Sequence, residues 1–314
     1  MSLPSHFFFL VPGLSEKYRT GGLMVIRNVA DIFSKFPENR VQFITTEERH
    51  PDALFAKDFF KPSTFNPKPS TLFIITWGPL VEKHIKLIRA KNPHARILYY
   101  AQSFGWDIKV PPRIPIACVS RYVMAQWAIH APENLLSHIP PPLSPYFSLK
   151  NQPRDIDILV HARKQNDYCL KKLLPALQTA DYKLQIIHDW IPQEEFARLL
   201  NRTKLFLYIT APHKAGFRKW LPGEGFGLPA LEALACGALV GSNLLGGVTD
   251  FLTPGENCLK LQNGDLNFDV ELIKKALEKF QPNEKRASAI CEEYSFKTTE
   301  EKWRELLKFT SAII

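Results

Sequence analysis

Apolar residues recur along this chain in two rhythms. Predominantly apolar runs at 6–11, 71–76, 96–101, 156–161 and 204–209, among them HFFFLV and RILYYA, have the length of strands buried on both faces. Shorter runs at 41–45, 116–120 and 183–188 share that character. Between them the apolar positions fall at helical spacing: Leu23, Ile26, Val29, Ala30, Ile32 and Phe33 mark a helix over 23–36. Similar patterns cover 80–90, 170–177, 193–200, 270–280 and 298–309. Strands that alternate with helices predict α/β architecture with parallel sheets, whose ligands sit beyond the carboxyl ends of the strands. The proline-dense HIPPPLSPYF at 138–147 interrupts the alternation and reads as a stiff connector, dividing the chain into domains at 1–147 and 148–296.

Composition narrows the class. The 314 residues are 45% hydrophobic and 23% charged, a globular balance with enough chain for two cores. A formal charge of +9 favours anionic partners: nucleotides, acidic lipid surfaces or nucleic acid. No run of five or six basic residues marks a nucleic-acid tail, so nucleic acid is not expected. The five cysteines are scattered without a CxxC spacing and read as reduced thiols of a cytoplasmic protein. The nine histidines form no HxxxH pattern, and no metal site is expected. The apolar core of MSLPSHFFFLVPG is too short for a signal peptide. No stretch reaches the 18 or so apolar residues of a spanning helix, so any membrane contact is expected to be peripheral.

The chemistry concentrates in LPGEGFGLPALEALACGALVGSNLLGG, residues 221–247. Pro229 suits the first turn of a helix, and Gly237 before ALVG reads as a helix stop followed by a buried strand. The N–H groups around Gly225, Phe226, Gly227 and Leu228 then lie at a helix start, where unpaired donors and partial positive charge favour a phosphate. Glu224 and Glu232 flank that site. Were the segment between them fully helical, they would stand about 12 Å apart. A glycosidase acid/base pair is usually about 5 to 9.5 Å apart, so paired-carboxylate hydrolysis is not the natural reading. Each carboxylate can accept hydrogen bonds from neighbouring hydroxyls, and a ligand with a diol at each end and a diphosphate between is a nucleotide sugar.

The spacing of Glu224 and Glu232 within EGFGLPALEALACGALV resembles the donor-site motif of retaining GT-B glycosyltransferases, most closely the family-4 enzymes (glycosyl transferases group 1). The resemblance implies two Rossmann-like parallel-sheet domains facing a cleft, with a last helix at 297–314 crossing back onto the first domain and Trp303 as an anchor. It implies that Glu224 contacts the donor sugar and Glu232 the ribose. Arg163 occupies the place of an arginine that neutralises the donor diphosphate. A companion lysine usually stands several residues later; here Lys164 is adjacent, while Asn166 and Tyr168 lie nearer that spacing. Gly21 and Gly22 resemble the glycine-rich loop of the first domain. Gln102 stands near a usual donor-contacting histidine and could donate a hydrogen bond instead. Trp106 and Ser120 are further candidates on the donor or acceptor side, and Ser120 also reads as the N-cap of a helix beginning at 121.

An inserted stretch, APHKAGFRKWLPG, precedes Glu224. With His213, Lys214, Arg218, Lys219 and Trp220 it reads as a basic, partly aromatic loop, either suited to phosphate or an acidic acceptor or simply solvated. Asp155 and Asp157 form a DxD, read as a solvated strand edge rather than a manganese site. The function implied is transfer of a sugar from a nucleotide sugar to a saccharide or glycolipid acceptor, retaining and metal-independent, with no cofactor. The setting implied is cell-surface glycan synthesis in the cytoplasm or at the inner membrane face. Two alternatives stand beside it: a GT-B nucleotide-sugar epimerase, and a non-catalytic basic binding subunit.

Overall fold

The computed structural model describes residues 4–36, 39–76, 78–104, 108–215, 219–221 and 224–313. The chain forms two compact units, one comprising Met1–Pro142 with Phe296–Ile314, the other Leu143–Ser295. The division falls upstream of the 147/148 boundary read from the prolines. Residues 139–144 are buried, so the proline run is packed rather than a free spacer.

The first unit is built on β1 (His6–Val11), β2 (Arg40–Thr45), β3 (Ala53–Phe55), β4 (Thr71–Ile75), β5 (Arg96–Ala101), β6 (Ile116–Cys118) and β7 (Leu136–His138). All pair in parallel in the order β3-β2-β1-β4-β5-β6-β7. The order reverses between β1 and β4, and the chain leaving β1 enters the Gly21–Ser34 helix at that reversal. From Phe7 to Val11 β1 is apolar and buried, with Phe7 stacked on Phe33 at 4.7 Å. Trp303, on the last helix Phe296–Ile313, is fully buried. Its ring meets Phe33 edge-on at 5.2 Å and Tyr100 at 5.1 Å.

The second unit contains β8 (Ile156–His161), β9 (Leu184–Ile187), β10 (Thr203–Tyr208), β11 (His213–Ala215), β12 (Lys219–Leu221), β13 (Leu239–Ser242) and β14 (Cys258–Lys260). Its parallel sheet runs β14-β13-β10-β8-β9, and its order reverses between β8 and β10. The core fills around Ile158, Val160, Leu205 and Leu207 of these two strands. The helix expected over 170–177 is real but opens as a widened π turn at Cys169–Leu173 before Leu174–Gln178. The ring of Pro175 would press on the Lys171 carbonyl in a regular α turn, and the wider turn relieves that contact.

The inserted stretch is not a plain loop. β11 and β12 form an antiparallel hairpin in which Lys214 stands opposite Trp220 and Ala215 opposite Lys219. A further helix at Glu284–Glu293 was not announced by apolar spacing, because only Ala287 and Ile290 of it are buried.

Candidate functional site: carboxyl ends of β8 and β10

In the second unit the strand order reverses between β8 and β10, the point in such a sheet where ligands sit in a crevice beyond the carboxyl ends of the strands. After His161 the chain makes a single 3-10 turn, Ala162–Lys164, which presents Arg163 and Lys164 to solvent. Gln165 fixes this turn to its neighbour: its Nε2 donates to the Leu207 carbonyl at 2.9 Å, and its Oε1 accepts from the Ile209 N–H at 2.8 Å. Arg163 has no ion-pair partner among the described residues. Burial lowers the His161 pKa, and the charges of Lys164 and Arg163 add to the shift.

The helix Leu228–Ala235 begins with Gly227 at the N-cap, at φ 95°, with no side-chain cap. A Cβ at Gly227 would meet the Val248 side chain. Pro229 lies in the first turn, where its missing N–H costs nothing. The N–H groups of Phe226, Gly227 and Leu228 have no hydrogen-bond partner among the described residues. The Phe226 ring itself belongs to the core, 5.4 Å from Phe251 and 5.8 Å from Tyr294, so only its backbone is available to a ligand. At the far end Gly237, at φ 76°, ends the helix, with Gly237 N–H donating to Leu234 O and Ala238 N–H to Ala233 O.

A second glycine turn braces this start. The Gly247 N–H donates to the Glu224 carbonyl at 2.8 Å, and a Cβ on Gly247 would fall onto the Gly225 carbonyl oxygen. Glu224 therefore sits before the helix, on extended backbone bridged to Gly246. Its Oε1 accepts from the Lys164 Nζ at 2.8 Å across 60 residues of sequence. Glu232, one turn into the helix, is only 8% exposed. Burial pushes its carboxyl up to about 8, with the Lys164 ammonium pulling the other way.

Tyr208 closes the back of this site and was read from sequence only as a strand residue. It is fully buried, and its hydroxyl has no hydrogen-bond partner of normal geometry. Burial, then the charge of Glu224, the close approach of the hydroxyl to that carboxylate and the charge of Glu232 hold the hydroxyl well above the usual tyrosine range, so it remains a proton donor. The one signal in the sequence was a hydroxyl-bearing ring closing an otherwise apolar run.

Other candidates fall into place differently. Asn166 caps the turn that follows, accepting from the Cys169 N–H at 2.9 Å, and Tyr168 donates to Asp269 at 2.7 Å, so neither replaces the companion lysine. Asp155 is paired with Arg202, and Asp157 with Lys204 at 2.7 Å, so the DxD serves the strand edge. His213 opens β11, while Arg218 lies outside the described residues.

In the first unit, Thr20 caps the Gly21–Ser34 helix by accepting from the Leu23 N–H at 3.2 Å. Gln102 donates through Nε2 to the Gly22 carbonyl at 3.0 Å, which gives that amide a role in holding the helix start. Gly21 faces open space. Ser120 is fully buried and caps the Arg121–His130 helix through the Val123 N–H at 3.0 Å, a structural position rather than a ligand contact. Trp106 lies outside the described residues.

Among the described residues of the second unit, the crevice thus joins two cations, two carboxylates and three unpartnered amides. It can hold an anion at the helix start and hydroxyl groups at the carboxylates. Residues 154–303 match the family model described as glycosyl transferase-like. No curated protein sequence matches the chain. Among solved structures, sucrose-phosphate synthase from Thermosynechococcus elongatus superposes with a TM-score of 0.71 at 14% identity, covering 99% of this chain and 100% of that one. HepE from Anabaena, in complex with UDP and glucose, gives 0.66 at 11% identity over 97% of this chain and 99% of that one. The lipopolysaccharide outer core galactosyltransferase WaaB gives 0.65 at 14% identity over 98% and 99%. At these identities the structural likeness is one of fold. The chain therefore shares the two-domain GT-B fold of these glycosyltransferases over its length, and its residues 154–303 match the glycosyl transferase-like family model.

Proposed function

We propose that the protein transfers a hexose from a nucleotide-sugar donor to a saccharide or glycolipid acceptor with retention of anomeric configuration. The observation that carries this is the convergence of Arg163, the Lys164–Glu224 ion pair, buried Glu232 and the unpartnered N–H groups of Phe226, Gly227 and Leu228. The amides and the two cations neutralise the diphosphate, Glu224 orients the sugar, and Glu232 accepts from the ribose hydroxyls. Leaving-group charge is met by these groups, so the proposal calls for no metal ion and no cofactor.

In the reaction the bond between the anomeric carbon and the diphosphate oxygen breaks, and the acceptor oxygen bonds to that carbon from the same face. The acceptor proton passes to the departing diphosphate oxygen, so no protein nucleophile is needed. The Anabaena neighbour's UDP and glucose make UDP-sugars the first donors to try. The proposed setting is assembly of a cell-surface glycan in the cytoplasm or at the inner membrane face. The formal +9 charge supports peripheral docking there, and no described helix is long and apolar enough to cross a membrane.

The test is a panel of nucleotide sugars, with donor turnover and thermal protection as readouts. Glu232→Ala should lower donor affinity by about tenfold, the loss of hydrogen bonds to a buried carboxyl group. Unchanged affinity in that variant removes Glu232 from the site. Conversion of the donor to its epimer without an acceptor would replace transfer by epimerisation.

A further inference from the structure

Lys164 has two claims on it. In the free protein its ammonium is engaged by the Glu224 carboxylate at 2.8 Å, and the proposed donor would bring a diphosphate to the same cation. One ammonium shared between a carboxylate and a diphosphate is pulled toward the greater charge. Among the described residues Lys164 is the cation paired with Glu224, so a donor that draws it away leaves that carboxylate without its partner.

Tyr208 stands where a replacement is needed. Its ring ends β10 directly behind the glycine turn, with Cε1 3.5 Å from the position a Cβ on Gly227 would take. Its hydroxyl is buried against Glu224 but makes no hydrogen bond of normal geometry, a costly arrangement if the ring served packing alone. Phe206, two residues earlier on the same strand and stacked with Tyr208 at 6.2 Å, fills comparable space with no hydroxyl. The carboxylate whose charge acts most strongly on the Tyr208 hydroxyl is Glu224.

We propose that Tyr208 is a positioning residue for Glu224: as the donor diphosphate takes the Lys164 ammonium, the Tyr208 O–H donates to the Glu224 carboxylate in its place. The hydroxyl keeps its proton throughout, and no bond other than hydrogen bonds is exchanged. The inference rests on the nucleotide-sugar reading of the site. It adds that the free and donor-bound states differ in which group holds Glu224.

A double-mutant cycle tests it, with UDP, GDP and ADP as titrants of the unaltered protein, Tyr208→Phe, Glu224→Gln and the double variant. For the nucleotide bound tightest, Tyr208→Phe is expected to weaken affinity about tenfold. The carboxylate, left with no second donor, then holds Lys164 against the diphosphate. In the Glu224→Gln background the same change should stay within about twofold, since the amide makes no claim on the lysine. Equal losses in both backgrounds, or no loss in either, overturn the proposal, because ring packing is common to both. A second measurement leaves Tyr208 intact: Glu224→Gln alone should tighten nucleoside diphosphate binding by freeing Lys164, and unchanged or weaker binding overturns the competition. If the unaltered protein binds none of the three nucleotides, the donor reading itself falls, and this inference with it.

Discussion

The two units each start a helix with glycine after a strand, yet the two starts are built differently. In the first unit Thr20 supplies a side-chain cap, Gln102 secures the Gly22 carbonyl, and Gly21 faces open space. In the second, Gly227 replaces the capping side chain at a left-handed φ, and Gly247 packs against backbone too closely for any Cβ. One start satisfies itself from within; the other keeps its donors unspent and surrounds them with Glu224, Glu232 and Lys164. A helix start that withholds its cap costs stability, of order 1 kcal/mol for an ordinary N-cap, and that cost is offset only where a ligand uses the donors.

Three substitutions break or sharpen this contrast. The largest effect is expected from Gly247→Ala, whose Cβ meets the Gly225 carbonyl, a backbone atom that cannot rotate away. Denaturant unfolding should show a loss on the order of 4 kcal/mol, at the severe end for a single change. Glu232→Gln comes next. A carboxyl raised from 4.5 to about 8 by burial holds its proton more tightly when folded. Its stabilising contribution is therefore complete below about 4.5, declines as pH rises to about 8 and is gone above it, with a slope of at most about 1.4 kcal/mol per pH unit. Unfolding free energies measured across that window should lose this slope in the variant, leaving it more stable than the unaltered protein at pH 9. The smallest effect belongs to Gly21→Ala, which meets nothing within 4 Å and gains helix propensity. A gain of up to about 1 kcal/mol is expected, and a loss would show that the first unit's glycine start is also built for close approach.

Much of the fold was legible because parallel strands buried on both faces are predominantly apolar. β1, β5 and β8 begin and end where their apolar runs do. Gly237 and Pro229 marked the ends of a helix through backbone chemistry that few other residues satisfy. The hairpin of β11 and β12 was hidden because each strand is three residues long and carries no apolar alternation. β7 was concealed by the prolines that follow it. In the site, Glu224 and Glu232 announced themselves through their glycine-rich surroundings. The Lys164–Glu224 pair did not, since it closes over 60 residues and depends on the order β10-β8. Ser120 could be read two ways, because a serine before a helix looks alike whether its hydroxyl caps the helix or faces a ligand, and the structure shows the cap.

The last helix sets the schedule on which the protein can be completed. The first unit leaves off at Pro142 and resumes at Phe296, so its sheet is synthesised first but its core waits for Trp303. On the ribosome the whole second unit, Leu143–Ser295, emerges while Phe33 and Tyr100 still lack the ring that covers them. The half of the molecule made earliest is the half finished last. A nascent chain stalled before residue 296 would hold a complete second unit beside a first unit with an open apolar seam, the form that chaperones and proteases recognise.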